Sequence, residues 1–189
     1  DPPLTLAETA SVFAELWLHE HLVKSSTDRR LRCQLLNNQV QSAVMTGFHQ
    51  VAYVNWERRA HQARAAGVVS REQLGVLWAE EQGRLWGPDV ATQDFDSDRW
   101  MQIPHFVFAR FYCYSYAFGK FLTLGLHGLW RERGSAFVAD YLALLRAGGS
   151  LTPMELLQPL GLDLTAPDFW QQGCDVVRGH LEELEAVAD

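Results

Sequence analysis

The strongest constraint on the fold of this chain is that its apolar residues recur at helical spacing along almost the whole length. Apolar residues three or four positions apart form one face of an α-helix, whereas a half-buried strand alternates apolar and polar residues. No segment shows sustained alternation, and no internal repeat or low-complexity linker occurs. The 189 residues therefore predict an all-α fold, a single domain over 1–189 with about six to eight helices.

Capping residues and glycines predict where the first two helices end. The first helix is predicted over Leu4–Val23. Either Thr27 or Asp28 can cap the second helix, which is predicted to end at Gly67. This second helix is long for a globular domain, and Gly47 can bend it.

The later helices have clear start and stop signals. Ser70 and Gln73 form a capping box that opens a third helix, which runs to about Leu85 and is followed by a polar loop over 87–101. Two further helices are predicted over Phe106–Trp130 and Ser135–Ala147. Another starts at the Thr152–Glu155 cap, with Pro153 in its first turn, and a last one runs from Pro167 to about Glu185.

Charge and hydropathy exclude two classes of partner. The net charge of −7 argues against a nucleic acid, because proteins that bind one carry a basic surface. The longest apolar run, Tyr112–Leu126, is interrupted by Lys120 and is too short to cross a membrane. The first residues lack the basic and apolar stretches of a secretory signal.

The three cysteines, Cys33, Cys113 and Cys174, are odd in number and widely spaced, with no CxxC pair. This pattern excludes a disulfide framework and a cysteine zinc site. It favours a reducing, cytoplasmic setting for the protein.

The segment Leu4–Glu20 (LTLAETASVFAELWLHE) contains Glu8, preceded by only seven residues. It resembles the helix that carries the last zinc ligand in oligoendopeptidase F and its thimet-oligopeptidase relatives. In that family two histidines of an HExxH helix come first, and the glutamate follows roughly two dozen residues later. No HExxH occurs in this sequence. The resemblance implies that Glu8 is a zinc ligand, and that Ser11 and Glu15 on its helix face help to orient the ligands.

A second segment starts with Ile103-Pro-His105 and continues over 106–119 as FVFARFYCYSYAFG. It resembles the family's second signature, in which a histidine after proline precedes a cluster of tyrosines in a helix. The resemblance implies that His105 and Tyr112, with Tyr116 close behind, stabilise the negatively charged oxygen of the transition state. Tyr112 and Tyr116 are four residues apart and share one helix face, whereas Tyr114 points elsewhere.

The tyrosine signature leaves two questions open. Without the resemblance, aromatic residues at helical spacing are more typical of a core than of a site. Cys113 and Ser115 stand where the family pattern Phe-Tyr-Val-Tyr-Gln-Tyr has Val and Gln. The tyrosines themselves are retained, but the choice between Tyr112 and Tyr116 as the main donor stays open.

A third segment, Ala147–Leu157 (AGGSLTPMELL), is followed by Gly161-Leu-Asp163 and resembles a turn between late helices of the same family. It carries turn and capping residues, and it can border the substrate cleft. The three segments together extend over nearly the whole chain.

The other histidines give no metal site. His19 and His21 lie about 200° apart on a helix and cannot share one ion. The remaining four have no neighbour at ligand spacing and are predicted to be structural or surface residues: His49, His61, His127 and His180.

The resemblance implies the C-terminal part of a zincin-like catalytic domain, a zinc metalloendopeptidase acting on oligopeptides. One zinc ion would be held by Glu8 and by two histidines of the missing N-terminal part, and the chain alone would be inactive. The alternative is a non-catalytic helical paralogue or interaction domain that shares the fold. An HExxH motif upstream would decide between them.

Overall fold

The computed structural model describes residues 9–92 and 96–188, and these ranges contain helices and no strand. They hold seven α-helices of twelve residues or more, which confirms the predicted all-α class. The α-helices are α1 Thr9–Ser25, α2 Arg29–Ala43, α3 His49–Ala66, α4 Arg71–Trp86, α5 His105–Phe108, α6 Cys113–Arg133, α7 Ala136–Ala147, α8 Pro153–Leu157 and α9 Pro167–Ala188. A π-helical segment lies at Val44–Phe48, and 3-10 turns lie at Arg99–Gln102 and Gln158–Leu160.

Three predicted helix starts are confirmed by their hydrogen bonds. The Asp28 side chain accepts bonds from two backbone N–H groups in the first turn of α2. Ser70 and Gln73 form both reciprocal bonds of a capping box at the start of α4. Thr152 and Glu155 do the same at α8. These signals are readable from the sequence because each one is made within four residues.

The long second helix contains an irregularity at the predicted bend. Val44–Phe48 is π-helical, and Gly47 lies buried within it. A π-helical turn holds one more residue than an α-helical turn, so it changes which residues share a face on either side. The helix ends before Gly67, as predicted.

The prediction of one continuous helix over Phe106–Trp130 is wrong. The helix α5 ends at Phe108, and α6 begins only at Cys113. Phe111 has a φ of 59°, in the left-handed region, which a right-handed helix cannot include. The predicted polar loop also ends in a helical turn, Arg99–Gln102.

The described residues form two compact units. Unit 1 contains those up to Val44 and those from Phe118 onward, and unit 2 is Met45–Ala117. The first turn of α6 belongs to unit 2 and the rest of that helix to unit 1. The assignment of 1–189 to a single domain stays a prediction.

The core of unit 1 is built around α6, whose residues from Gly119 to His127 are all buried. Phe13 of α1 stacks on Tyr141 of α7 with ring centroids 4.2 Å apart. The buried cluster consists of Phe13, Leu122, Leu126, Leu129, Phe137, Leu144, Leu156, Leu157, Leu160 and Phe169.

Two glycines allow α6 and α9 to approach closely. A Cβ atom at Gly125 would lie 2.9 Å from the ring of Phe169, and one at Gly173 would lie 3.2 Å from the ring of Phe121. Real Cβ atoms hardly ever come within 3 Å of another heavy atom, so the aromatic rings occupy the space that a larger residue would need.

Unit 1 also contains a group of histidines, of which His19 and His127 are buried and His180 is half-buried. The rings of His19 and His180 lie 6.4 Å apart. The Nε2 atom of His127 lies 2.8 Å from Glu20 Oε2, and the Glu20 carboxylate opposes the lowering of the His127 pKa. Burial is the main cause that lowers the pKa of all three imidazoles, and it lowers that of His180 to about 4.

Unit 2 is organised by the pair α3 and α4. Trp56 of α3 packs against Trp78 of α4 with ring centroids 6.0 Å apart, and its indole N–H donates to the carbonyl oxygen of Leu74 at 3.1 Å. The buried carboxylate of Glu81 accepts bonds from Arg59 and Arg84. A buried carboxylate is tolerated when it is paired in this way.

Two predictions about chemistry can be compared with the described residues. All three cysteines are free thiols. None of the helices in 9–92 or 96–188 combines the length and the apolarity that crossing a bilayer requires.

We expect Gly125→Ala to lower the free energy of unfolding by about 1–3 kcal/mol, because the Phe169 ring must move out of its packed position. Gly179→Ala in α9 is the matched control, since a Cβ atom there meets nothing within 4 Å. It should raise the free energy of unfolding by about 0.5–1 kcal/mol through the lost flexibility of glycine. Urea denaturation measures both, and a stabilised Gly125→Ala would contradict the close packing.

Candidate active site

The candidate site lies in unit 2 at the short helix α5, which begins with His105. The next residue, Phe106, packs its ring on Trp56 with centroids 4.5 Å apart. Trp56 in turn stacks on Trp100 at 5.2 Å. These contacts attach α5 to α3, and His105 is thereby held by the residue that follows it.

A turn between α5 and α6 brings Tyr112 back toward His105. The N–H of Tyr112 donates to the carbonyl oxygen of Ala109 at 3.0 Å. Phe111, in its left-handed conformation, donates its N–H to Glu57 Oε1 at 2.9 Å. The backbone of the turn is therefore bonded both to itself and to α3.

The three predicted site residues of this region lie together as one ring cluster, His105, Tyr112 and Tyr116. The imidazole stacks on the Tyr112 ring with centroids 5.1 Å apart and meets the Tyr116 ring edge-on at 5.7 Å. The two tyrosine rings are 5.3 Å apart. The Tyr116 hydroxyl lies 3.4 Å from His105 Nε2. All three side chains are half-buried.

Tyr112 and Tyr116 meet at the start of α6. Tyr112 directly precedes the first residue of that helix, and its carbonyl oxygen accepts the Ser115 N–H at 3.0 Å. The two tyrosines are therefore four residues apart across the first turn of α6. Tyr114 is 45% exposed, so its predicted packing elsewhere is not observed.

The ring cluster can donate hydrogen bonds to an incoming oxygen atom. A tyrosine hydroxyl donates and accepts, and a neutral imidazole carries one N–H and one acceptor nitrogen. The Tyr116–His105 contact uses one hydroxyl and one ring nitrogen. The side chains that follow His105 add an apolar surface, with Val107 68% and Phe108 85% exposed. The arrangement combines polar donors with apolar surface, as sites for organic substrates do.

The predicted zinc ligand, Glu8, lies outside the described residues. Ser11 and Glu15, predicted to orient the ligands, are exposed on α1. Burial lowers the pKa of the Lys120 ammonium group, and the Glu15 carboxylate opposes this shift by electrostatic attraction. The ammonium group donates to Ser42 Oγ at 3.2 Å. The role predicted for Ser11 and Glu15 stays untested.

The described ranges contain no group of three His, Cys, Asp or Glu residues that could hold a metal ion. A catalytic zinc takes three protein ligands. The residues in 9–92 and 96–188 do not bring such a set together, and Glu8 lies outside these ranges. His19 is buried and His21 is exposed, so the two imidazoles lie on different sides of α1.

Sequence reasoning missed Glu57, the buried acceptor of the turn. The sequence does contain a signal for its burial. Trp56 and Glu57 follow Tyr53 by three and four residues, so Glu57 lies on the same apolar stripe of the helix. A charged residue on such a stripe indicates a buried, bonded carboxyl group. The partner, the N–H of Phe111, is 54 residues away and could not be predicted.

Comparison with known sequences connects the chain to peptidases. The sequence model of peptidase family M3 matches residues 1–176. Oligoendopeptidase F (plasmid) of Lactococcus lactis subsp. cremoris is 33% identical over 193 residues, which are 99% of this chain and 31% of the relative. Oligopeptidase PepF of Bacillus subtilis (strain 168) is 27% identical over 183 residues, 96% of this chain and 27% of that protein. The chain thus spans about a third of the length of the curated relatives it matches.

A solved structure gives the same similarity in three dimensions. The crystal structure of oligoendopeptidase-F from Enterococcus faecium matches with a TM-score of 0.88 at 28% identity. The match covers 98% of this chain and 36% of that one.

We expect Phe106→Ala to lower the free energy of unfolding of unit 2 by about 2 kcal/mol, less than the about 3–5 kcal/mol of a fully buried phenylalanine. The physical reason is the loss of its packing on Trp56. Phe108→Ala, in the same helix, should change it by less than about 0.5 kcal/mol, because Phe108 is 85% exposed. Denaturation followed by tryptophan fluorescence compares the two, and equal losses would show that α5 is not anchored through Phe106.

Proposed function

The chain belongs to peptidase family M3, and we propose that it is the C-terminal part of a zinc-dependent oligoendopeptidase that hydrolyses peptide bonds in short peptides. The observation that carries this proposal is the ring cluster of His105, Tyr112 and Tyr116. The names of the relatives, oligoendopeptidase F and oligopeptidase, support peptides as substrates. The three rings are half-buried and can be reached from solvent. This favours a functional site, because aromatic residues that serve only as core in a non-catalytic paralogue would be fully buried.

The ring cluster would act on the oxygen of the scissile carbonyl group. During attack on the carbonyl carbon, this oxygen becomes negatively charged. Donors aimed at its position stabilise the transition state more than the bound substrate, and they therefore raise kcat. His105 and Tyr112 would supply those donors, with Tyr116 as the alternative to Tyr112. The Tyr116 hydroxyl, 3.4 Å from His105 Nε2, would keep the imidazole oriented.

Glu8 would be the zinc ligand that this chain contributes, together with two histidines from the part of the protein outside it. When bound, the zinc ion supplies a Lewis acid that polarises water and the carbonyl group. A carboxylate oxygen is among the ligands that zinc accepts. The chain alone would hold zinc weakly and would hydrolyse nothing, because one ligand does not make a catalytic site. The free cysteines support a reducing, cytoplasmic setting.

In the full-length protein, we expect Glu8→Ala to lose zinc and His105→Ala to retain zinc while kcat falls about 10²–10³-fold. The first change removes a metal ligand, and the second removes a donor that acts only in the transition state. Metal analysis and cleavage of a quenched fluorescent peptide measure the two effects. Loss of zinc from His105→Ala, with zinc retained in Glu8→Ala, would invert the assignment.

We expect Tyr112→Phe to lower kcat and kcat/KM together with little change in Tm, because a hydroxyl that contacts only the developing oxyanion acts on the transition state. Tyr114→Phe is the matched control, two residues away and 45% exposed, and should change neither quantity. Steady-state kinetics and thermal unfolding separate the roles. A lower Tm with an unchanged kcat would make Tyr112 a structural residue and leave Tyr116 as the donor.

A further inference from the structure

The carboxyl group of Glu57 is buried, and the nearest ionisable side chain recorded for it is that of His61, whose Nε2 atom lies 4.0 Å from Oε1. The residue is 1% exposed and lies on the apolar stripe of α3 beside Trp56. Its Oε1 atom accepts the Phe111 N–H at 2.9 Å, and within the described residues its Oε2 atom has no hydrogen-bond partner. Burying a carboxyl group is costly unless hydrogen bonds replace its water. The bond to Phe111 is the one that does so here.

The residue that Glu57 holds has an unusual backbone conformation. Phe111, at a φ of 59°, is the one non-glycine residue with positive φ in 9–92 and 96–188. A bulky residue rarely occupies this region unless surrounding contacts fix it. Without the acceptor at Glu57, the turn loses the bond that favours this conformation and can relax to an ordinary one.

The turn carries a group of the proposed site, because Tyr112 follows Phe111 directly. The Tyr112 ring stacks on His105 at 5.1 Å across the interruption of the helix that contains Phe111. We propose that Glu57 is a positioning residue that holds Tyr112 in place for peptide hydrolysis by fixing the turn at Phe111. This inference rests on the proposed function of the ring cluster.

The bond depends on the reach of the side chain. One other polar group near Glu57 is His61, whose Nε2 atom lies 4.0 Å from Oε1, beyond hydrogen-bond distance, on a side chain that is 44% exposed. The Phe111 N–H is the closer partner by more than an ångström. A side chain of equal length with an oxygen acceptor should therefore replace Glu57, and a shorter carboxylate should not.

The test uses Glu57→Gln, Glu57→Asp and Glu57→Ala in the full-length protein. Gln keeps the length and the acceptor, Asp keeps the carboxyl group but is one methylene shorter, and Ala removes both. We expect Gln to retain kcat to within a few-fold. Asp and Ala should lower kcat on the order of tenfold to a hundredfold, with KM changed much less, because displaced donors act on the transition state.

Hydrogen exchange of residues 109–112, measured by mass spectrometry, provides a readout that needs no activity. Compared with the wild type, exchange should be faster in Glu57→Asp and Glu57→Ala and unchanged in Glu57→Gln. Glu81→Gln is the matched control, since Glu81 is an equally buried glutamate of the same unit that pairs with Arg59 and Arg84. It should leave kcat and this exchange unchanged.

Three outcomes would overturn the inference. The first is an active Glu57→Asp variant beside an inactive Glu57→Gln variant. The second is unchanged exchange in both Glu57→Asp and Glu57→Ala. The third is faster exchange in these two variants with an unchanged kcat. If the full-length wild type cleaves no peptide, the proposed function fails. The exchange data still decide whether Glu57 fixes the turn.

Discussion

The interruption between α5 and α6 is the feature on which the candidate site depends. In a continuous helix, His105 and Tyr112 would lie two turns apart, roughly 10 Å along the axis. The left-handed residue Phe111 interrupts the helix instead, and the two rings stack with centroids 5.1 Å apart. Phe106 on one side of the interruption is held by Trp56, and Phe111 on the other side by Glu57. Two adjacent residues of one helix, α3, therefore hold both ends of the loop that carries the site.

The sequence predicts those features that are encoded by near neighbours. The capping boxes at Ser70 and Thr152 are formed within four residues, and both are present in the structure. The interruption at Phe111 is not predictable in this way, because the usual signal for a left-handed residue is glycine and a phenylalanine occupies the position. Resemblance to a family, and not periodicity, singles out His105. The spacing of four residues predicts that Tyr112 and Tyr116 are neighbours, and their ring centroids lie 5.3 Å apart.

The polar residues inside the two units show why burial is hard to predict from one sequence. Lys120 interrupts an apolar run, which suggests an exposed position, yet it is 5% exposed and donates to Ser42. Glu81 also looks like a surface residue of α4 and is 2% exposed. In each case the partner belongs to another helix and lies far away in the sequence. Tertiary contacts decide the position of such groups, and no local pattern contains them.

The buried histidines make the folding of unit 1 a proton-linked reaction. An unfolded histidine titrates near 6.5, whereas burial lowers the pKa of His19 and His127, and that of His180 to about 4. As the pH falls below 6.5, imidazoles of the unfolded chain bind protons while those of the folded chain stay neutral. Acid therefore shifts the equilibrium toward unfolding until the folded imidazoles are protonated as well. Above that pH both states are neutral and this penalty vanishes. Because the imidazoles lie close together, protonating one disfavours protonating the next, and opening the unit frees all of them at once. Acidification below pH 6.5 would therefore lower the free energy of unfolding of unit 1 through several imidazoles together.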